Sequence, residues 1–212
     1  MQSQREQWLE ARRSGIGASD AASVLGLSPY KTNVQLWEEK IGKTIPSDIS
    51  DNPAVAYGKA AEEVLRELFK LHFPEYTVEY DEFGMVYNPE HSFIFATLDG
   101  SLTDANGRRG ILEIKTAELR NGAAWSEWSD GIPQHYYIQV LHQFLATGYD
   151  FAVLCAELKT SKAGNNVNYT IKHYFFEREQ CAEDIQTVKQ AEIEFWEKVK
   201  SDTKPNLILP SI

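Results

Sequence analysis

The segment Ile111-Leu112-Glu113-Ile114-Lys115-Thr116 constrains this chain more than any other stretch. Its apolar residues Ile111, Leu112 and Ile114 do not alternate cleanly with polar ones, so it reads as a strand that is largely buried. Side chains two apart on a strand share a face, so Glu113 and Lys115 project together from a segment that otherwise belongs in the core. Acidic and lysine side chains rarely go there without a partner. A second carboxylate, Asp99, sits in Leu98-Asp99-Gly100-Ser101 at the end of an earlier strand-like run. A divalent metal held by Asp99 and Glu113, with Lys115 beside it, would supply the partner. That is the pattern needed to cut phosphodiester bonds. The plainer readings are a Glu-x-Lys pair on a solvated sheet face and an ordinary Asp-Gly turn.

With 212 residues, the chain is long enough to bury a full core as one domain. The hydrophobic fraction of 42% suits a folded protein rather than a disordered one. The net charge of −10 runs against a protein that coats nucleic acid with its whole surface. It leaves room for one that grips DNA in a local channel, with Arg12-Arg13, Lys59 and Arg108-Arg109 as the local basic clusters. Cys155 and Cys181 form no CxxC pair, which disfavours zinc and iron–sulfur sites and fits a reducing cytoplasm. The start Met1-Gln-Ser-Gln-Arg-Glu has no apolar export core, and no stretch approaches the roughly 18 apolar residues of a membrane helix. A cytoplasmic protein away from membranes is expected.

The patterning predicts a helical N-terminal part over residues 1–75, a sheet core over 76–176 and a C-terminal helix over 178–202. In the first part, helices are expected at 2–13, after a Ser19-Asp20 cap, at 33–41 and at 53–72, the last buried along Val64, Leu65, Leu68, Phe69 and Leu71. Strands are expected at 77–80, 84–87, 92–97, 100–103 and 110–116, with a turn at Asp104-Ala-Asn-Gly107. Residues 117–131 read as a loop, and a helix over 133–147 starts with Pro133 in its first turn. Strands at 151–159 and 168–176 flank the flexible Ser161-Lys-Ala-Gly-Asn-Asn166. A final helix over 179–201 buries Ile185, Val188, Ile193, Trp196 and Val199. The order predicts a layered α/β or α+β domain.

Other residues could join the chemistry. Glu62, three positions before Leu65, is placed on the edge of its helix facing the sheet, or else is an exposed acid. Gln139 on the amphipathic 133–147 helix needs hydrogen-bond partners if buried: a lysine, a metal-bound water or backbone. His135 and His142 read as structural or exposed. Arg12-Arg13-Ser14-Gly15-Ile16-Gly17-Ala18-Ser19-Asp20 combines arginines, glycines and a helix start, a candidate phosphate cradle or an ordinary capped loop. It has no P-loop lysine, so nucleotide hydrolysis is not supported. Lys115 would orient or deprotonate water or stabilise developing charge, and as a base its pKa would have to be lowered.

Together these segments resemble the lambda exonuclease type of phage recombinase exonuclease, also called YqaJ-like, within the PD-(D/E)xK nuclease superfamily. The resemblance is carried by Trp8-x3-Arg12 with Gly17-Ala18-Ser19, by Tyr57-Gly58-Lys59-x2-Glu62, and by Leu98-Asp99-Gly100. It continues in Leu112-Glu113-Ile114-Lys115 and Pro133-x-His135-Tyr136-Tyr137-x-Gln139-Val140. It implies a three-layer restriction-endonuclease-like core and 5′→3′ digestion of linear double-stranded DNA with Mg2+, for which Mn2+ can substitute. Asp99, Glu113 and the Ile114 carbonyl become expected metal ligands and Lys115 the base or water-orienting residue. Glu62 would serve a second metal, and Gln139 would orient water or Lys115. Arg12 and Ser19 match positions that hold the 5′-phosphate. A trimeric ring around DNA and a single-strand annealing partner are further implications. The family proline before the aspartate is Leu98 here. The alternatives are another nuclease of the superfamily, such as a restriction-like endonuclease or repair nuclease, and a catalytically dead DNA-end-binding module.

Overall fold

The computed structural model describes residues 4–46, 49, 51–129, 131–162 and 166–209. Its N-terminal part is helical: α1 (Gln4–Arg13), a 3-10 turn (Ala18–Asp20), α2 (Ala21–Val24), α3 (Asn33–Lys40) and α4 (Pro53–His72). Then come β1 (Thr77–Glu79), β2 (Val86–Tyr87), β3 (Phe95–Ala96), β4 (Gly100–Thr103) and β5 (Arg109–Leu119). The chain continues with α5 (Gly122–Ser129), α6 (Gln134–Thr147), β6 (Phe151–Lys162), β7 (Asn166–Glu177) and α7 (Ala182–Lys200). The main sheet has the order β1-β4-β5-β6-β7. Only β5 and β6 run parallel, with α5 and α6 in the crossover between them; the other neighbours are antiparallel.

Alternation along β5 divides the core in two. Ile111 faces one side, where Leu154, Ile138, Leu141 and Phe144 pack with Ile185 and Val188 of α7. Leu112 and Ile114 face the other, against Leu65 and Phe69 of α4. Burying a side chain such as Leu65 or Phe69 stabilises by about 2 kcal/mol. The result is α4, then a mixed sheet, then α6 and α7: a layered α/β domain, as the order of elements predicts, with the three layers that the resemblance implies. Gly58 makes the close approach of α4 possible, since a Cβ there would stand 3.3 Å from Thr116 Oγ1 on β5.

Several expectations are corrected. The α4 stripe is narrower than its apolar spacing suggests: Leu65 and Phe69 are buried, but Val64 is 66% and Leu71 77% exposed. The helix touches the sheet along one line, and Val64 and Leu71 fall beside it. Most of 117–129 is not a loop. β5 runs on to Leu119 because β6 pairs with it as far as Thr160, and Gly122–Ser129 is helical with Trp128 buried. Pro133 caps α6 from outside rather than occupying its first turn, and Gly148 closes the other end at φ 70°. Asp20 precedes α2 but its side chain caps nothing there; it receives the Lys40 ammonium at 2.8 Å instead. Of the Ser161–Asn166 connection, β6 includes Ser161 and Lys162 and β7 starts at Asn166, while 163–165 lie outside the described residues. Ile193 and Val199 are only half-buried on α7, where Phe195 and the carboxylate of Glu192 are buried.

Candidate active site

The antiparallel register of β4 and β5 ends with Gly100 opposite Leu112. Just beyond it the strands are held by a side chain: the Ile114 N–H donates to Asp99 Oδ2 at 2.8 Å. This sets Asp99 beside β5 where Glu113 and Lys115 project. The Lys115 ammonium lies 2.6 Å from Glu113 Oε1. Helix α6 covers the same face, and Gln139 Nε2 donates to Glu113 Oε1 at 2.6 Å. One turn on, Gln143 Nε2 donates to Glu113 Oε2. Glu113 is only 2% exposed and carries three donors. That satisfaction is what a buried carboxylate requires.

Glu62 is half-buried and reaches the same place from α4. Arg66, one turn later, is buried and donates from Nε to the Asp99 carbonyl at 2.7 Å. From the N-terminal part, Arg12 Nη2 donates to Ser19 Oγ at 3.1 Å. Arg12, Ser19, Glu62, Asp99, Glu113, Ile114, Lys115 and Gln139 all line one cleft of about 150 Å³. Every residue singled out from the sequence for this chemistry is therefore brought to one place. Lys59 lines the adjoining groove. Arg108 and Arg109 are elsewhere: Arg108 pairs with Asp104 and Glu177, and Arg109 donates to Tyr149. His142 is fully buried and structural, between Glu192 and the Phe95 carbonyl.

Crowding of carboxylates dominates the electrostatics. Burial, then the Glu113 charge, push the Asp99 carboxyl well above its ordinary range, with Glu62 adding to the effect. Burial and Glu113 likewise raise Glu62. Burial alone pulls the Lys115 amine down, but Glu113 and Asp99 outweigh it and hold the amine above the usual lysine range. The lowered pKa expected of a lysine base is thus not what the protein's own groups produce. Excess negative charge at a cleft with hard oxygen donors is what a divalent cation relieves. Among the described residues no three His, Cys, Asp or Glu side chains form a ready-made metal cage. Two carboxylates with a main-chain oxygen and water suit Mg2+, which keeps several of its waters.

Gln143 was not singled out from the sequence as a functional residue. Its signal is a second glutamine four positions after Gln139 on an otherwise apolar helix face. Arg66 is a second such residue, an arginine inside the α4 core stripe.

The YqaJ-like viral recombinase domain matches residues 7–150. This chain belongs to that family. It is 32% identical over 209 residues to the protein YqaJ of Bacillus subtilis (strain 168), a match covering 96% of this chain and 59% of that one. The chain thus spans less than two thirds of that relative. Among solved structures it is similar to the alkaline exonuclease LHK-Exo from Laribacter hongkongensis. That likeness has a TM-score of 0.66 at 19% identity, covering 93% of this chain and 94% of the other. A phage-related exonuclease from Haemophilus somnus 129PT gives a TM-score of 0.57 at 12% identity, covering 89% and 96%. At these identities the YqaJ-like chain shares their fold, the restriction-endonuclease-like arrangement of a mixed sheet between helices. Among its described residues no helix is long and apolar enough to cross a membrane.

Proposed function

We propose that this chain, acting as one catalytic domain, is a magnesium-dependent exonuclease that digests linear double-stranded DNA 5′→3′. Its product would be 3′ single-stranded tails for phage-type recombination by strand annealing. The observation that carries the reading is the convergence of Asp99, Glu113 and Lys115 with the Arg12–Ser19 pair in one cleft. Carboxylates that would hold metal and an arginine–serine pair that would hold phosphate line the same space. The names of LHK-Exo and the Haemophilus protein as exonucleases support the same reaction class.

Roles follow from position. Asp99, Glu113 and the Ile114 carbonyl would hold Mg2+, or Mn2+ in its place, and Glu62 a second ion. Bound there, the cation would polarise the phosphate, lower the pKa of its water and take up carboxylate charge that now holds Lys115 protonated. Lys115 then orients the water or removes its proton, and Gln139 keeps Glu113 turned toward the cleft. Arg12 and Ser19 grip the 5′-phosphate with charge-assisted hydrogen bonds. An acidic protein around a locally basic channel fits a ring of three copies enclosing DNA. The reading places it in the bacterial cytoplasm beside a single-strand annealing protein.

The test is digestion of linear duplex labelled separately at each end, with and without Mg2+, beside a closed circle and Glu113→Ala. Magnesium-dependent loss from 5′ ends, sparing the circle and absent in the variant, is expected. Cutting of the circle would make it an endonuclease. Folded protein that cuts nothing would make it a DNA-end-binding module.

A further inference from the structure

Helix α6 carries Tyr136, Gln139 and Gln143 at i, i+3 and i+7, which places them on one stripe. The two glutamines hold Glu113. The third member of the stripe meets Lys115. The ammonium lies over the Tyr136 ring, 5.1 Å from its centroid, while it pairs with Glu113 Oε1 at 2.6 Å. The neighbouring Tyr137 serves a different contact, its hydroxyl donating to Asp184 of α7 at 2.7 Å. The Tyr136 ring is itself fixed. Trp128 packs against it with centroids 5.6 Å apart, and the His135 ring lies 4.0 Å from it. Trp128 is buried, and its carbonyl accepts from Lys172 Nζ at 2.8 Å and from the Tyr174 hydroxyl at 2.7 Å, both on β7. The surface under the Lys115 amine is therefore anchored through α5 to the sheet.

A cation over an aromatic face is attracted by the ring quadrupole, and the attraction grows as water is excluded. The Lys115 side chain is only 20% exposed, so the contact forms in a largely desolvated place. Lysine carries its charge on a flexible four-carbon stem, and an ion pair at the tip leaves that stem several rotamers. An ammonium held by a carboxylate and by a fixed ring has fewer positions open to it. We infer that Tyr136 is the positioning residue of Lys115, its ring aiming the amine at the cleft while Gln139 and Gln143 aim Glu113. One rigid helix face then sets both members of the Glu-x-Lys pair. The ring matters most when Glu113 shares its charge with a bound cation. The ion pair then weakens, whereas a neutral aromatic face still attracts the ammonium and does not compete for the metal. The role rests on the nuclease reading of Lys115, but the contact between the two side chains does not.

The test combines NMR with kinetics on wild type, Tyr136→Phe and Tyr136→Leu. The full chain is labelled with 13C at lysine Cε, and proton–carbon correlation spectra are recorded in EDTA. The Lys115 signal is identified by its loss in Lys115→Ala. Protons over an aromatic face are shielded, so that signal should lie upfield of the exposed lysines in wild type and in Tyr136→Phe. In Tyr136→Leu, which fills the space without a ring, it should return among them. In digestion of linear duplex, kcat of Tyr136→Leu should fall about tenfold with KM within about twofold, and Tyr136→Phe should stay close to wild type. An unshifted Lys115 signal in wild type, or one that stays upfield in folded Tyr136→Leu, would overturn the contact. A signal that moves while kcat does not would overturn the positioning role. If Tyr136→Leu does not fold, the wild-type spectrum decides: upfield supports the inference and unshifted overturns it. Spectra as expected from a protein that never digests DNA would overturn the nuclease reading and leave the contact standing.

Discussion

Gln143 donates to Glu113 Oε2 from the turn of α6 that follows Gln139, which donates to Oε1 at 2.6 Å. The two amides hold both carboxylate oxygens from one rigid helix face, while Lys115 approaches from the strand. Gln143 is fully buried, and its own Oε1 has no partner among the described residues. Gln143→Ala should therefore free Glu113 to rotate away from the cleft. Outer partners of metal ligands typically contribute about 10–100-fold in metal affinity or activity. Initial rates measured across magnesium concentrations should show the dependence displaced to higher magnesium. A magnesium dependence identical to wild type would mean that Gln139 and Lys115 suffice to hold Glu113.

Removing the charged groups themselves has a different signature. Glu113→Ala or Lys115→Ala should abolish digestion at any magnesium concentration while circular dichroism stays native. Lys115 can lose its amine without unfolding the chain, because its side chain is 20% exposed at the cleft mouth. Glu113 is more deeply set, but its loss also relieves the repulsion that raises Asp99 and Glu62. Normal cutting by either variant would move the reaction centre elsewhere.

The Arg12–Ser19 pair, proposed to hold phosphate, has its own support. Lys40 Nζ donates to the Arg12 carbonyl at 3.1 Å and to Asp20 Oδ2 at 2.8 Å, fixing the end of α1 against the turn that carries Ser19. Arg12→Ala should erase the preference for 5′-phosphorylated over 5′-hydroxyl ends, and Lys40→Met should reduce it. An unchanged preference in Arg12→Ala would place the phosphate site elsewhere. Lys40→Met should also destabilise, because it takes the closest cation from the half-buried Asp20 and leaves it with the Gly17 N–H. Burial alone would raise the Asp20 carboxyl, but Lys40 outweighs it and lowers the pKa. A depressed folded pKa means that this stabilisation is present above the unfolded value of about 3.9 and is lost as pH falls through the folded one. Urea denaturation between neutral and acid pH should show a steeper acid loss for wild type than for Asp20→Asn.

The candidate site is legible where the sequence violates local patterning. Glu113 and Lys115 interrupt an apolar strand, so their burial and need for partners could be read from six residues. Of the two readings that its offset from Leu65 allows, Glu62 takes the one at the cleft, half-buried rather than exposed. What stayed hidden depends on how elements dock. Val64 and Leu71 carry the same spacing as buried residues, yet α4 meets the sheet along a line that excludes them. The strand content of 117–119 is imposed by pairing with β6 rather than by its own composition. Gln143 and Arg66 look like ordinary helix polar residues until β5 and β4 arrive beside them. His142 and Glu192, 50 residues apart, show no sign of each other in the sequence.

That last pair supplies a test of the C-terminal layer. His142 Nδ1 lies 2.6 Å from Glu192 Oε1, both side chains are fully buried, and Nε2 is 2.8 Å from the Phe95 carbonyl. A carbonyl only accepts, so Nε2 carries a proton and donates to it. Nδ1 then donates to the carboxylate if the ring is an imidazolium. Burial pulls the His142 pKa down, but Glu192 outweighs it and raises the value above that of a free histidine. With a raised folded pKa, the stabilisation is fully present below the unfolded value of about 6.5 and is lost as pH rises through the folded one. Thermal melts should therefore fall on the alkaline side for wild type. Glu192→Gln removes the charge that raises His142 and should flatten that fall while lowering stability near neutrality. An equally steep alkaline fall in Glu192→Gln would show that another group controls it. Because the pair ties α7 to α6 directly behind Gln143, the variant should also reduce magnesium-dependent cutting more than it reduces DNA binding in EDTA.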